Sequence, residues 1–148
     1  MTRNGGLLGQ ESPDGKYLYF MKPRARAPGL VRTLGLWRIP VEGGEETQVL
    51  ATVYNRAFEV RAEGIYYMSW SSEDRTSRLQ FHALSGGKSR ELTKFEGVID
   101  EGLAVSPDGK RILFSRPDTA SADLDAGGKL QVAQRQARRP VPQGGVIT

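Results

Sequence analysis

Cysteine is absent from this chain of 148 residues, and histidine occurs once, at position 82. The first absence excludes disulfides, zinc–thiolate centres and thiol nucleophiles, while leaving the cellular compartment open. The second leaves little room for imidazole chemistry, since a lone histidine without a clustered partner reads as a strand residue. Long apolar runs are missing too. No stretch approaches the roughly 18 residues of a membrane-crossing helix, and residues 1–10 hold no secretory apolar segment. No segment sustains a helical period. What remains is 38% hydrophobic, 26% charged and 8% aromatic, the ordinary range of a soluble domain.

The net charge of +4 is unevenly placed. Residues 125–148 hold Lys129, Arg135, Arg138 and Arg139 against Asp125, whereas residues 1–124 hold 17 basic and 16 acidic side chains. The basic character therefore belongs to the tail. No basic stripe interleaves with aromatics in the body, so this segment is not expected to bind nucleic acid.

Repeats are what the sequence does have. Ser12-Pro13-Asp14-Gly15 leads into Tyr17-Leu18-Tyr19-Phe20, and Ser106-Pro107-Asp108-Gly109 leads into Arg111-Ile112-Leu113-Phe114. The two units stand 94 residues apart, or two periods of 47, and Arg61-Ala62-Glu63-Gly64 falls midway as a degenerate copy. A second marker recurs at a spacing of 43: Leu36 to Gly43-Gly44 aligns without gaps on Leu79 to Gly86-Gly87. Proline presets the first corner of a tight turn, aspartate suits the second, and glycine accepts positive φ. Each such unit joins two antiparallel strands, and each Gly-Gly pair reverses the chain again. The β-branched and aromatic flanks suit strands.

These signals predict an all-β chain: a partial β-propeller of two four-stranded antiparallel blades and an incomplete third. The expected strands are 7–11, 17–22, 34–41 and 47–51, then 56–60, 65–70, 78–84 and 90–93, then 103–106 and 111–116. Residues 24–32 and 71–77 read as loops, and 125–148 as a disordered tail after a propeller body of 1–124.

The ordered motifs resemble the TolB-like, WD40-like propeller repeats of bacteria. The resemblance covers residues 2 to about 124. It is strongest to the C-terminal propellers of regulators that carry a winged-helix or a serine/threonine-kinase domain. It implies at least six blades, so the remaining blades of a parent protein are expected partners and Met1 falls in mid-propeller. It also implies a closing strand Met-Leu-Val-Glu-Asn-Phe-Arg after Asp123-Leu124. Codons for Asp125 to Val132, read one base forward, permit that peptide, so 125–148 is expected to be a frameshift product; the alternative is a natural polar tail.

Side chains with chemical potential each have a plainer use. Asp14 and Asp108 sit where aspartate supports a turn, and no converging carboxylates suggest calcium. Serines 12, 69, 71, 72, 85 and 106 lack a nucleophile-elbow context, and Gly5-Gly6 lacks the lysine and helix of a phosphate loop. Trp37, Trp70, Phe81 and Phe114 suit packing between blades. Arg24, Arg26 and Arg32 make a basic loop. No catalytic residue, cofactor or metal is expected. The function expected is a sensor or protein-interaction segment of a larger regulator, with an unidentified protein as partner. The alternatives are the accessory propeller of a prolyl-oligopeptidase-like peptidase and a gene piece without function.

Overall fold

The computed structural model describes residues 6–22, 34–54, 56–99 and 101–115 in full, and the backbone of 23, 33, 120–124, 130–134 and 144–147. The first Ser-Pro-Asp-Gly unit closes a tight turn. Gly15 N donates to the Ser12 carbonyl at 2.8 Å with φ of +70°, and Ser12 N donates to the Tyr17 carbonyl at 2.8 Å. That turn joins β1 (Leu7–Glu11) to β2 (Tyr17–Pro23), and the chain returns as β3 (Thr33–Pro40) and β4 (Thr47–Tyr54). All pair antiparallel with their sequence neighbours, giving one four-stranded sheet in chain order. The second unit repeats the plan with β5 (Phe58–Val60), β6 (Gly64–Ser71), β7 (Thr76–Ala83) and β8 (Ser89–Glu96). The third begins with β9 (Leu103–Val105) and β10 (Ile112–Ser115) around the second Ser-Pro-Asp-Gly turn. No helix occurs among the described residues.

The sheets stack face to face in sequence order. One apolar cluster joins the first two blades, with Tyr19, Met21, Leu36 and Val53 against Phe58, Val60, Ile65 and Tyr67. A second joins the next two, with Met68, Leu79 and Phe95 against Leu103, Val105, Ile112 and Phe114. Inner strand β5 lies between β1 and β9. This is a partial β-propeller, two complete blades and an incomplete third.

Register shows how closely the blades correspond. Leu18 pairs with Glu11, Ile65 with Val60 and Ile112 with Val105. Stepping from Leu18 to Ile65 to Ile112 therefore covers two equal shifts of 47 residues. The same shift relates Phe20, Tyr67 and Phe114, and also Tyr19, Tyr66 and Leu113. Because strand side chains alternate between faces, Ile65, Tyr67, Ile112 and Phe114 all point back to the preceding blade, and Tyr19 points forward.

The loop expected over 71–77 is shorter, since β6 runs to Ser71 and β7 begins at Thr76, and four further details differ from the sequence expectation. β4 and β8 run three residues further, as Val53, Tyr54 and Phe95 find apolar cover against the next blade. β5 begins at Phe58 rather than 56, because Arg56 adopts φ of +57° and Ala57 N bonds the Tyr54 carbonyl at 3.0 Å. The third blade has a third strand: β13 (Gly144–Ile147) pairs antiparallel with β10. In the tail expected to lack structure, β12 (Leu130–Gln134) also pairs, with β11 (Ala120–Leu124). The physical reason is the open edge of β10, whose unpaired N–H and C=O groups accept a further strand. The rest of 125–148 and the basic loop 24–32 lie outside the described residues.

Candidate functional site

Antiparallel order places alternate connections at opposite ends of each blade. One end gathers the turns. Val41 N, after β3, donates to the Lys16 carbonyl at 3.0 Å, and Leu84 N to the Glu63 carbonyl at 3.3 Å. In each Ser-Pro-Asp-Gly turn the acid is committed. Asp14 Oδ1 accepts from Ser12 Oγ at 2.6 Å and Lys16 N at 3.2 Å, while Ser12 Oγ accepts from Tyr17 N at 2.9 Å. Asp108 repeats this with Ser106 Oγ and Lys110 N, and Ser106 Oγ accepts from Arg111 N. The serine hydroxyl holds each carboxyl below the usual carboxylate value, followed by the backbone N–H. Pro13 and Pro107 sit at the first corners, with Gly15 and Gly109 at positive φ. The pairs Gly43-Gly44 and Gly86-Gly87 also take positive φ.

Next to these turns, single side chains cross between inner strands. Gln10 donates to the Phe58 carbonyl at 3.1 Å and accepts from Val60 N at 2.9 Å, occupying the open edge of β5. One repeat later, Arg61 pairs with Glu59 at 3.0 Å and donates to the Val105 carbonyl of β9. Burial raises the Glu59 carboxyl, against the lowering by Arg61.

Among the described residues, the opposite end holds a concavity. There the β6–β7 turn and the chain leaving β8 border a cleft of about 910 Å3. Trp70, Phe95 and Val98 give it apolar lining, and Asp74, Arg75, Lys94 and Glu96 charged lining of both signs. Trp70 is braced by Tyr54, stacked at 5.7 Å and 24°. Two segments are tied to each other at the floor: Gly97 N donates to the Arg75 carbonyl at 3.0 Å, and Ser77 Oγ to the Gly97 carbonyl at 2.8 Å. Arg75 is held at φ of +54°, a conformation costly for a side chain with a Cβ. Asp74 accepts from Thr76 Oγ1 at 2.7 Å and Arg78 Nη2 at 2.6 Å. These hydroxyl and guanidinium donors, Thr76 foremost, keep it well below the usual carboxylate range. A concave site lined by aromatic rings and by charges of both signs suits a side chain or peptide that is part apolar and part ionic.

His82 is buried, on the face of β7 that packs on the first blade, where the aligned residue is Ile39. Its Nδ1 lies 3.0 Å from Ser89 Oγ, which also accepts from the Tyr67 hydroxyl at 3.2 Å. Burial lowers the imidazole, favouring its neutral form. A serine–histidine contact is the geometry of nucleophile activation, yet no carboxylate bonds this ring among the described residues. Sequence reasoning named His82 and missed Ser89; their pairing across β7 and β8 was legible only once the register was known.

Of the other aromatics expected between blades, Phe114 makes such a contact, whereas Phe81 and Trp37 are seen in contacts within their own blades. Phe114 contacts Phe95 at 4.9 Å, Phe81 contacts Tyr66 at 4.9 Å, and Trp37 lies under Lys22 at 5.2 Å. No group of three or more His, Asp or Glu residues placed to hold a metal occurs among the described residues.

No family model matches the chain. No curated protein matches it. Eleven solved chains do. Among them is a Bacteroides fragilis protein provisionally called a 6-phosphogluconolactonase, 15% identical with a TM-score of 0.49. The match covers 88% of this chain and 40% of that one, so the chain spans two fifths of that protein's length.

Proposed function

We propose that this chain is a non-enzymatic interaction segment: consecutive blades of a TolB-like, WD40-like bacterial propeller, within a larger regulator, that hold a protein partner at the loop end. The observation that carries the reading is the cleft between Trp70 and Phe95, framed by Arg75 and Lys94 on two segments tied by main-chain bonds. Rigid blades that present loop residues around an open concavity recognise by shape and charge. The committed carboxylates fit the same reading. Asp14, Asp108 and Asp74 are spent on turns and an ion pair.

The test is partner capture by the full chain in its host, with purified partner used to confirm direct binding. Arg75→Glu with Lys94→Glu is expected to lose the partner at least tenfold in affinity while leaving the circular dichroism unchanged. Hydrolysis of a phosphosugar lactone or an ester that disappears with Ser89→Ala would overturn the non-enzymatic reading.

A further inference from the structure

Two dipeptides carry a reaction that the fold has no use for. Asp14-Gly15 and Asp108-Gly109 are aspartyl-glycyl bonds, and both aspartates are exposed. In such a bond the glycine nitrogen, with no Cβ beside it, attacks Cγ of the aspartate. An N–C bond forms, and the carboxyl hydroxyl leaves with the amide proton as water. Water then opens the ring on one of two sides. Cleavage at Cγ returns aspartate, and cleavage at the α-carbonyl leaves isoaspartate, whose main chain runs through Cβ and Cγ.

One residue in each turn holds both reactants. Gly15 N donates to the Ser12 carbonyl at 2.8 Å, and Asp14 Oδ1 accepts from Ser12 Oγ at 2.6 Å and Lys16 N at 3.2 Å. Gly109 N donates to the Ser106 carbonyl at 2.9 Å, and Asp108 Oδ1 accepts from Ser106 Oγ and from Lys110 N at 3.1 Å. The serine hydroxyls are fixed in turn by accepting from Tyr17 N and Arg111 N, each at 2.9 Å. The carboxylate is thereby aimed past the attacking nitrogen, onto the next amide. The same bonds hold both carboxyls below the usual carboxylate value, and an ionised carboxylate has no hydroxyl to lose.

We propose that Asp14 and Asp108 are isoaspartate sites kept silent by Ser12 and Ser106, each serine holding the attacking amide with its carbonyl and the carboxyl with its hydroxyl. The hydroxyl is the separable half, since serine to alanine frees the carboxyl and leaves the carbonyl in place. The reversal at Arg61 to Gly64 holds no aspartate, and it has no serine either. The inference concerns the turns and does not rest on the loop-end cleft.

Peptide mapping of the full chain after long incubation near neutral pH, with fragmentation that tells isoaspartate from aspartate, measures each site. Ser12→Ala is expected to raise isoaspartate at Asp14 by about tenfold, since each pKa unit the carboxyl regains is a tenfold gain in its protonated, reactive form. Asp108 in that variant is expected to stay at the wild-type level, and Ser106→Ala to show the reverse. The untouched turn is thus a control within the same molecule. Wild-type chain in urea is expected to react at both turns. Ser12→Thr and Ser106→Thr keep the hydroxyl and are expected to stay silent. Asn4-Gly5 reaches isoaspartate by loss of ammonia and is counted separately. Unchanged rates in the alanine variants, a rise at both turns in either one, or threonine variants that react like alanine would overturn the proposal. So would wild-type turns that react as fast folded as in urea.

Discussion

Two glycines of the second blade impose different demands. At Gly86 the backbone lies at φ of +101° with open space where a Cβ would project, so the requirement is conformational. At Gly64 φ is not positive, but a Cβ would sit 2.4 Å from the His82 carbonyl oxygen and 2.5 Å from the Phe81 ring. Gly86→Ala is expected to cost about 1–2 kcal/mol, the penalty of left-handed backbone. Gly64→Ala is expected to cost about 1–3 kcal/mol or more by overpacking, since the backbone oxygen cannot step aside. Urea unfolding of both variants checks this, and Gly86→Asn should recover part of the loss where Gly64→Asn does not. The residue scale also sets the pH response. His82 is buried with a lowered imidazole, so its contribution is whole above about pH 6.5 and declines as pH falls toward the lowered folded value. Asp14, Asp74 and Asp108 also have lowered folded values, so their contribution is whole above about pH 3.8 and is lost as pH falls through those values. Unfolding midpoints followed downward from pH 8 should show two acid losses, and His82→Ile should remove the upper one alone.

Among the elements, alternation across β10 separates neighbours completely: Ile112 is fully buried against the second blade while Leu113 is open. Ile112→Ala is expected to cost about 2–5 kcal/mol as a core truncation, and Leu113→Ala well under 1 kcal/mol. Chemical denaturation of the two variants measures the difference directly. The turn chemistry made the strands legible, because proline fixes φ, glycine accepts the positive φ the turn requires, and neither needs a distant partner. The β1–β2 and β9–β10 hairpins therefore lie where Ser12–Gly15 and Ser106–Gly109 put them. The degenerate copy was read correctly as a reversal, but Gly64 serves as the first residue of β6 and not as a turn glycine. The ends of β4 and β8 were not legible, since Val53, Tyr54 and Phe95 extend the strands only because the next blade covers them. The pairing of β13 with β10 was likewise invisible, being set by an edge far away in sequence.

Across the whole molecule, the central claim is that consecutive sheets stack back to front at a register shift of 47 residues. The stacking order was legible because two independent markers recur in the same sequence. The cleft at the loop end was not, because it is formed where the β6–β7 turn meets the chain leaving β8, and Arg75 carries no sequence sign of its positive φ. Arg75→Gly, which relieves that backbone, is expected to raise stability by up to about 1 kcal/mol in thermal unfolding while weakening partner capture. The most direct test of the stacking is nuclear Overhauser spectroscopy of the chain. The account predicts cross-peaks between the rings of Tyr54 and Trp70, between those of Phe95 and Phe114, and from the Gln10 side-chain amide to Val60 N–H. Absence of these contacts, with cross-peaks placing the strands at Ser12–Gly15 and Ser106–Gly109 side by side in one sheet, would contradict it.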